Sequence, residues 1–300
     1  MSLILLYKII FILTAFGAGT IAIDVFLRKS DRPKLDMAFG LMSLAFVTWA
    51  AGRFGMLQAG DAEDALFWGH FLYNGSILVH ILFLHTILIF LELERRVWSK
   101  LFLEFFYVLG VFLLSLNNTY FFTGEHLFIT AAVPKLNFPF LEVPDFWHNV
   151  HLINYFVIPT LALVLMLFAF RRANGQKQKQ ILLIILASIA GFLGGNSIVP
   201  LVYGFSLQPF LLVLVPFYLP ILGYAIARHH LLNIKVLTTE LLTFALWSFI
   251  LIRIFVSDNP TEQLVNSSLL TLTIIIGVFL IKSVRNEVRQ REKIEKLAKD

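Results

Sequence analysis

Nine stretches of the chain run almost free of charge for about the length a helix needs to cross a bilayer: 3–27, 37–57, 65–91, 101–119, 149–170, 181–203, 208–227, 236–256 and 264–283. Spanning about 30 Å of hydrocarbon takes roughly 20 apolar residues at 1.5 Å each. Only 101–119 falls short. The pattern predicts an all-α polytopic membrane bundle of nine transmembrane helices. The first run holds Lys8 within it and a basic flank, Arg28 to Lys34, after it. A cleavable leader would carry its charge in front and end in small residues, so this run reads as the first span.

The polar linkers alternate in sign. Arg28, Lys29, Arg32 and Lys34 follow the first run; Arg95, Arg96 and Lys100 the third; Arg171, Arg172, Lys177 and Lys179 the fifth; Arg228 and Lys235 the seventh. The tail adds Lys282, Arg285, Arg289, Arg291, Lys293, Lys296 and Lys299, so 20 of the 24 basic residues share one side. The opposite linkers hold Asp61, Glu63, Asp64, Glu125, Glu142, Asp145, Asp258 and Glu262 against Lys135 alone. By the positive-inside rule the basic side is cytoplasmic, with the N-terminus outside and the C-terminus inside. A multi-pass protein of the inner (plasma) membrane is expected.

Composition agrees: 58% of the 300 residues are hydrophobic, 14% are charged and the mean hydropathy is +0.81, where a soluble domain carries roughly a quarter charged residues. The net charge of +5 sits in clusters between apolar runs, which is membrane topology rather than a nucleic-acid face. With no cysteine, disulfides, zinc-thiolate sites and cysteine nucleophiles are excluded. Neither a cofactor nor a metal site is expected.

Two segments break the alternation of span and short linker. Residues 120–148 form the longest extracytoplasmic stretch, with Pro134, Pro139 and Pro144 among Phe121, Phe122, Phe138, Phe140, Phe146 and Trp147. An irregular aromatic cap is expected there, either an interfacial belt or a ligand lid. After Ile281 the sequence SVRNEVRQREKIEKLAKD has no Gly or Pro and strong helix propensity. The ninth helix should run on into the cytoplasm, as a solvated tail or as the start of a dimeric coiled coil.

Ionisable and polar groups at membrane depth are costly and mark functional sites. At 100° per residue, His70, Tyr73, Asn74, Ser76, His80 and His85 fall on one half of the third helix, so that half should face the bundle interior. Three readings compete: a hydrogen-bond network between helices, a pocket for a small molecule or lipid, and haem ligation or a proton relay. Arg53 and Arg253, near the outer ends of the second and eighth runs, are expected to snorkel to the headgroups; Arg53 has the further reading of closing over the pocket. In the sixth run Ala187, Gly191 and Gly195 recur at intervals of four, a stripe that permits close packing. Asn196 and Pro200 follow, placed to break the helix and free carbonyls for binding. The candidate ligand-binding set is His70, Tyr73, Asn74, His80, His85, Arg53 and Asn196.

No P-loop, GxGxxG, HExxH or GxSxG occurs, and no catalytic residue or enzyme activity is assigned to these residues. The segments FWGHFLYNGSIL (67–78), GGNSIVPLVYG (194–204) and YAIARHHLLNIKV (224–236) together resemble the N-terminal seven-transmembrane region of bacterial sensor histidine kinases, over about residues 1–235. The family's third span often carries a proline where this chain reads Ser76 to His80. The resemblance implies a sensor domain (1–233), a two-helix hairpin of spans 8 and 9 (234–283) and the start of a cytoplasmic signalling helix (284–300). It also implies a homodimer and a cytoplasmic histidine kinase output, in cis or in trans, whose phosphotransfer and ATP-binding boxes these residues lack. A secondary transporter and a haem-binding membrane protein are the alternatives.

Overall fold

A computed structural model describes residues 3–27, 32–227 and 259–297, with single residues between 239 and 257. Most of the expected eighth span and the basic linker after Ala227 lie outside the described residues. The chain divides into two compact units at Ile226–Ala227, and each is described by itself.

The first unit is a helical bundle with one small hairpin. Its elements are α1 (Leu3–Leu27), α2 (Pro33–Gln58), α3 (Ala62–Phe90), α4 (Val97–Thr123), β1 (Ile129–Lys135), β2 (Phe138–Pro144), α5 (Phe146–Arg172), α6 (Gly175–Asn196) and the single turn α7 (Val199–Val202). A 3-10 turn (Phe210–Leu214) then leads into α8 (Val215–Ala227). The second unit contains α9 (Pro260–Leu297). Among the described residues, seven helices are long and apolar enough to cross a membrane, and Phe210–Ile226 forms a shorter apolar one. The protein is thus an all-α polytopic membrane protein.

Local chemistry sets the helix ends. α2 opens on a proline, whose missing N–H costs nothing in a first turn. At α3 the Asp61 carboxylate accepts from the Asp64 N–H at 2.8 Å, and Glu63 and Asp64 complement the helix dipole. α4 stops at Gly124, whose φ of +75° closes the last turn. This helix extends beyond the apolar run 101–119 by four residues at each end, and within it the amides of Asn117 and Asn118 are satisfied by the His70 carbonyl and the Asn74 side chain of α3.

α3 is the centre of the unit. It packs against α2, α4, α5 and both strands, and 78% of its apolar window is buried, against 22% for α4 and α5. The expectation of one inward half is corrected accordingly: Leu72, Gly75, Val79 and Leu82, on the opposite half, are buried too. The α2–α3 contact is backbone-close. A Cβ at Gly75 would lie 2.3 Å from the Ala45 carbonyl oxygen, and one at Gly52 2.6 Å from Leu72 Cα.

The segment 120–148 is not an irregular cap. α4 runs to Thr123, and β1 and β2 pair antiparallel with Ala132 opposite Glu142 and Val133 opposite Leu141. Phe128, Ile129, Phe138 and Leu141 are buried beneath the hairpin, and Phe138 stacks on Tyr7 of α1 at 4.8 Å. The prolines fit because a two-stranded ribbon is all edge, where a missing N–H is tolerated.

The sixth span does break where Asn196 and Pro200 stand. α6 ends at Asn196, Ser197 Oγ donates to the Gly194 carbonyl at 2.6 Å, and α7 restarts with Pro200 in its first turn. In the second unit α9 is one continuous helix of 38 residues, about 57 Å long, and exceeds the hydrocarbon thickness. A Cβ at Gly277 would meet Thr243 and Trp247, each at 2.5 Å.

The glycine contacts generate a prediction. Gly75→Leu should cost at least about 1–3 kcal/mol by overpacking and lower the melting temperature in detergent, whereas Gly60→Ala, with nothing within 4 Å, should leave it unchanged. Equal melting temperatures for the two variants would contradict the α2–α3 contact.

Candidate functional site

The hairpin is fastened to the bundle by one ion pair. Arg53, near the C-terminal end of α2, donates through Nη1 to Glu142 Oε2 at 2.6 Å and through Nη2 to Oε1 at 2.8 Å. Their relative exposures are 2% and 1%. Arg53 therefore does not snorkel to the headgroups: its partner stands in β2, 89 residues on, and the two-pronged geometry matches guanidinium to carboxylate. Burial would push the Glu142 carboxyl up, but the adjoining guanidinium and its hydrogen bonds hold it below its ordinary value of 4.5. Arg253, by contrast, is exposed, as a snorkelling residue would be.

A hydrogen-bonded chain continues from Glu142. The Tyr73 hydroxyl donates to Glu142 Oε1 at 2.6 Å, and His148 Nε2 lies 2.7 Å from the same hydroxyl oxygen. Because the phenol proton is directed at the carboxylate, His148 is the donor in that second bond, through Nε2–H. Tyr203 donates to Asn149 and approaches His148 Nδ1 at 3.4 Å. Burial and then Glu142 push its phenol up. One turn along α5, His151 Nε2 pairs with Ser76 Oγ at 3.1 Å, and the His80 ring lies 5.3 Å from the His151 ring. His80 itself donates from Nδ1 to the Ser76 carbonyl at 3.0 Å.

These groups enclose a cavity of about 50 Å³ lined by Arg53, Glu142, Tyr73, Ser76, His148, His151, Asn196 and Tyr203, with Trp49, Leu72 and Val199 among its apolar walls. Lys135 on β1 bonds the carbonyls of Glu142 and Val202, tying the hairpin to α7. Burial lowers the Lys135 ammonium pKa, and Glu142 opposes that. The hairpin is thus held at two points, on α2 and on α7, with the cavity beneath.

Of the seven residues singled out from sequence, the structure brings Arg53, Tyr73 and Asn196 to this cavity. His80 stands behind His151. His70 and Asn74 lie elsewhere, in a clamp on α4: His70 Nδ1 meets Asn117 Oδ1 at 3.0 Å, and Asn117 and Asn118 donate to Asn74 Oδ1 at 3.0 and 2.8 Å. Tyr120 stacks on the His70 ring at 4.3 Å. This arrangement matches the network reading. His85 meets the Tyr107 hydroxyl at 2.8 Å, five residues from the end of α3 that is remote from the hairpin. Glu142, His148, His151 and Tyr203 were missed. Glu142 had served only as a topology marker. The spacing of three between His148 and His151, which puts both on one face of α5, was the available signal.

A family model described as the N-terminal 7TM region of histidine kinase matches residues 10–236. No curated protein and no solved structure matches the chain at a significant level.

Removing one partner of a buried pair leaves an uncompensated charge, at about 3–5 kcal/mol. Arg53→Met and Glu142→Leu should each lower the melting temperature sharply, and the double variant should recover most of the loss. Additive losses would mean the pair does not hold the hairpin. The lowered Glu142 pKa gives the sign with pH: its contribution is complete above about pH 4.5 and declines as the pH falls toward the native value. Wild-type melting should therefore drop in acid more than that of the double variant.

Proposed function

The chain belongs to the N-terminal 7TM region of histidine kinase family, which implies a membrane sensory input for two-component signalling, and we propose that the cavity under the hairpin is its receiving site. The observation that carries this reading is the buried Arg53–Glu142 pair, which closes the cavity and fastens the only non-helical lid among the described residues. A molecule entering the cavity lies against the residues that make the Glu142, Tyr73 and His148 bonds. Those bonds join four elements, α2, α3, β2 and α5. Occupancy is thereby coupled to helix positions, which is the two-state element a switch requires.

The remaining parts of the reading follow the charge pattern. Nine spans, with the N-terminus outside and the C-terminus in the cytoplasm, put the hairpin on the extracytoplasmic side and deliver α9 to the cytoplasm. Spans 8 and 9 carry the displacement, and a homodimer converts it into altered helix pairing at 284–300. A histidine kinase domain, in cis or in trans, reads that change, and these residues themselves perform no catalysis. The set His70, Asn74, His80 and His85 supports the site from outside it. A haem reading finds no support, since a cavity of about 50 Å³ does not admit a porphyrin. The transporter reading wants matching broken helices in two halves, and α6–α7 is the only interrupted long span among the described residues.

The absence of cysteine from these 300 residues makes single-cysteine labelling direct. Glu63→Cys should react with an impermeant maleimide from outside intact cells, and Arg95→Cys and Gln290→Cys only after permeabilisation; the reverse pattern would overturn the orientation. Spin labels on Gln290→Cys should show a copy-to-copy distance that shifts when Glu142→Gln is added. An unchanged distance would sink the relay, and absent dipolar coupling the dimer.

A further inference from the structure

We propose that α5, α6–α7 and α8 form a hinged half of the first unit, whose ends beside the hairpin swing as one body against a rigid frame of α2 and α3. To the reading of the cavity as the receiving site this adds the motion by which that site acts, and it stands on packing and backbone chemistry. The frame comes first. α2 and α3 meet backbone to backbone at Gly52 and Gly75, and each is one continuous helix with no proline past its first turn.

The facing helices differ. Pro159 stands inside α5 and Pro220 inside α8. Each lacks the N–H that would bond the carbonyl four residues back, of Tyr155 and of Pro216, and its ring crowds the same turn. Between α6 and α7 the helix stops at Asn196 and restarts at Val199, and Pro200 offers no N–H to the Asn196 carbonyl. A turn with no bond to lose bends at lower cost than its neighbours, and sharp bends in helices gather at prolines. The three helices are also joined to one another. A Cβ at Gly191 would lie 2.5 Å from the Tyr218 ring of α8, and one at Gly195 3.2 Å from the Tyr155 hydroxyl of α5. Phe192 adds ring contacts to Tyr155 at 6.3 Å and to Tyr218 at 6.0 Å.

Against the frame, packing changes with depth. Beside the hairpin the two halves are parted by the cavity of about 50 Å³. Deeper, toward Gly191 and Tyr218, a second cavity of about 20 Å³ shares Trp49, Ser76, Tyr155 and Gly195 with it. The walls of a void have forfeited their dispersion contacts, so displacement into it costs little. Ring contacts of Phe46 with Tyr218 and of Phe83 with Phe192 serve as the pivot. Beyond the breaks the halves close up: a Cβ at Gly223 of α8 would lie 3.2 Å from Phe39 of α2, and Lys177 of α6 donates to the Phe90 carbonyl of α3 at 3.2 Å. The hairpin bridges the gap, bonded to α2 through Glu142 and to α7 through Lys135, so loosening that clasp frees the hinged half.

The test reads distances within one copy, by pulsed electron paramagnetic resonance on the full chain in lipid nanodiscs, diluted with unlabelled chain. Labels at Gly60→Cys and Phe205→Cys report the ends beside the hairpin, and labels at Arg95→Cys and Leu182→Cys the remote ends; all four positions are exposed. Adding Glu142→Gln should shift the first distance by on the order of 2 Å or more and leave the second in place. Pro159→Ala with Pro220→Ala restores the missing donors and should abolish the shift. An equal shift at both pairs, a shift that survives the two alanines, or no shift at all overturns the hinge. Hydrogen exchange on the unaltered chain decides the matter if a variant fails to fold: amides within 148–155 and 215–219 should exchange at least about tenfold faster than those within 72–79 of α3, and equal protection contradicts the proposal. Failure of the receiving-site reading has a different signature: the distance from Gly60→Cys to Phe205→Cys shifts, yet the copy-to-copy distance at Gln290→Cys stays fixed. If the Gln290→Cys distance responds to Glu142→Gln while the other does not, the receiving site stands and the hinge falls.

Discussion

A charge cannot be carried into the interior of a membrane protein alone, and that constraint organises the first unit. Arg53 on α2 is buried within an otherwise apolar span, and it needs a carboxylate that no neighbouring turn of its own helix supplies. The partner arrives on a β-hairpin, so two strands fold back over the bundle end at the α2–α3 turn. Once Glu142 is there, its remaining lone pairs recruit Tyr73, Tyr73 recruits His148, and the start of α5 is set. A buried ion pair is weak evidence for added stability, because apolar replacements often match it. Its worth here is specificity: it defines where the hairpin sits.

The close approach of α2 to α3 serves the same end. In lipid, helices gain little from hiding apolar surface from one another, and contact must come from packing and hydrogen bonds. Gly52 and Gly75 remove the side chains that would hold the two backbones apart. That closeness lets Arg53 and Tyr73, on different helices, address one carboxylate. On the opposite flank of α3 the Asn74–Asn117–Asn118 cluster fixes α4 with the help of His70 and His85, while the carboxylate and guanidinium lie on the side of the hairpin and α5.

The helices were legible in the sequence because lipid imposes a simple length and polarity rule, and the described spans follow it to within a few residues. Where the rule misplaced an end, as in α4, the helix runs on through polar or half-polar residues as far as Thr123, and the stop is set by Gly124 in the left-handed region rather than by the end of the apolar run. The site was legible only in part. Tyr73 and Asn196 were exposed by polarity within an apolar run and by a helix break, which are local signals. The pairing of Arg53 with Glu142 spans 89 residues, and no periodicity reports it. His148 and His151 stood at the edge of a linker that composition made look like a cap. The hairpin hid behind its own prolines, which argue against strands in a wide sheet and not in a two-stranded ribbon.

The burial of that ion pair also separates the protein from one property of its surroundings. Exposed charge pairs weaken as salt rises, because mobile ions screen them over about 10 Å at 0.1 M, whereas buried pairs are screened much less. With both partners almost wholly out of contact with solvent, the strength of the clasp depends only weakly on the ionic strength of the surrounding solution. Added salt therefore leaves the seating of the hairpin on α2 nearly unchanged, where a surface pair of the same geometry would loosen.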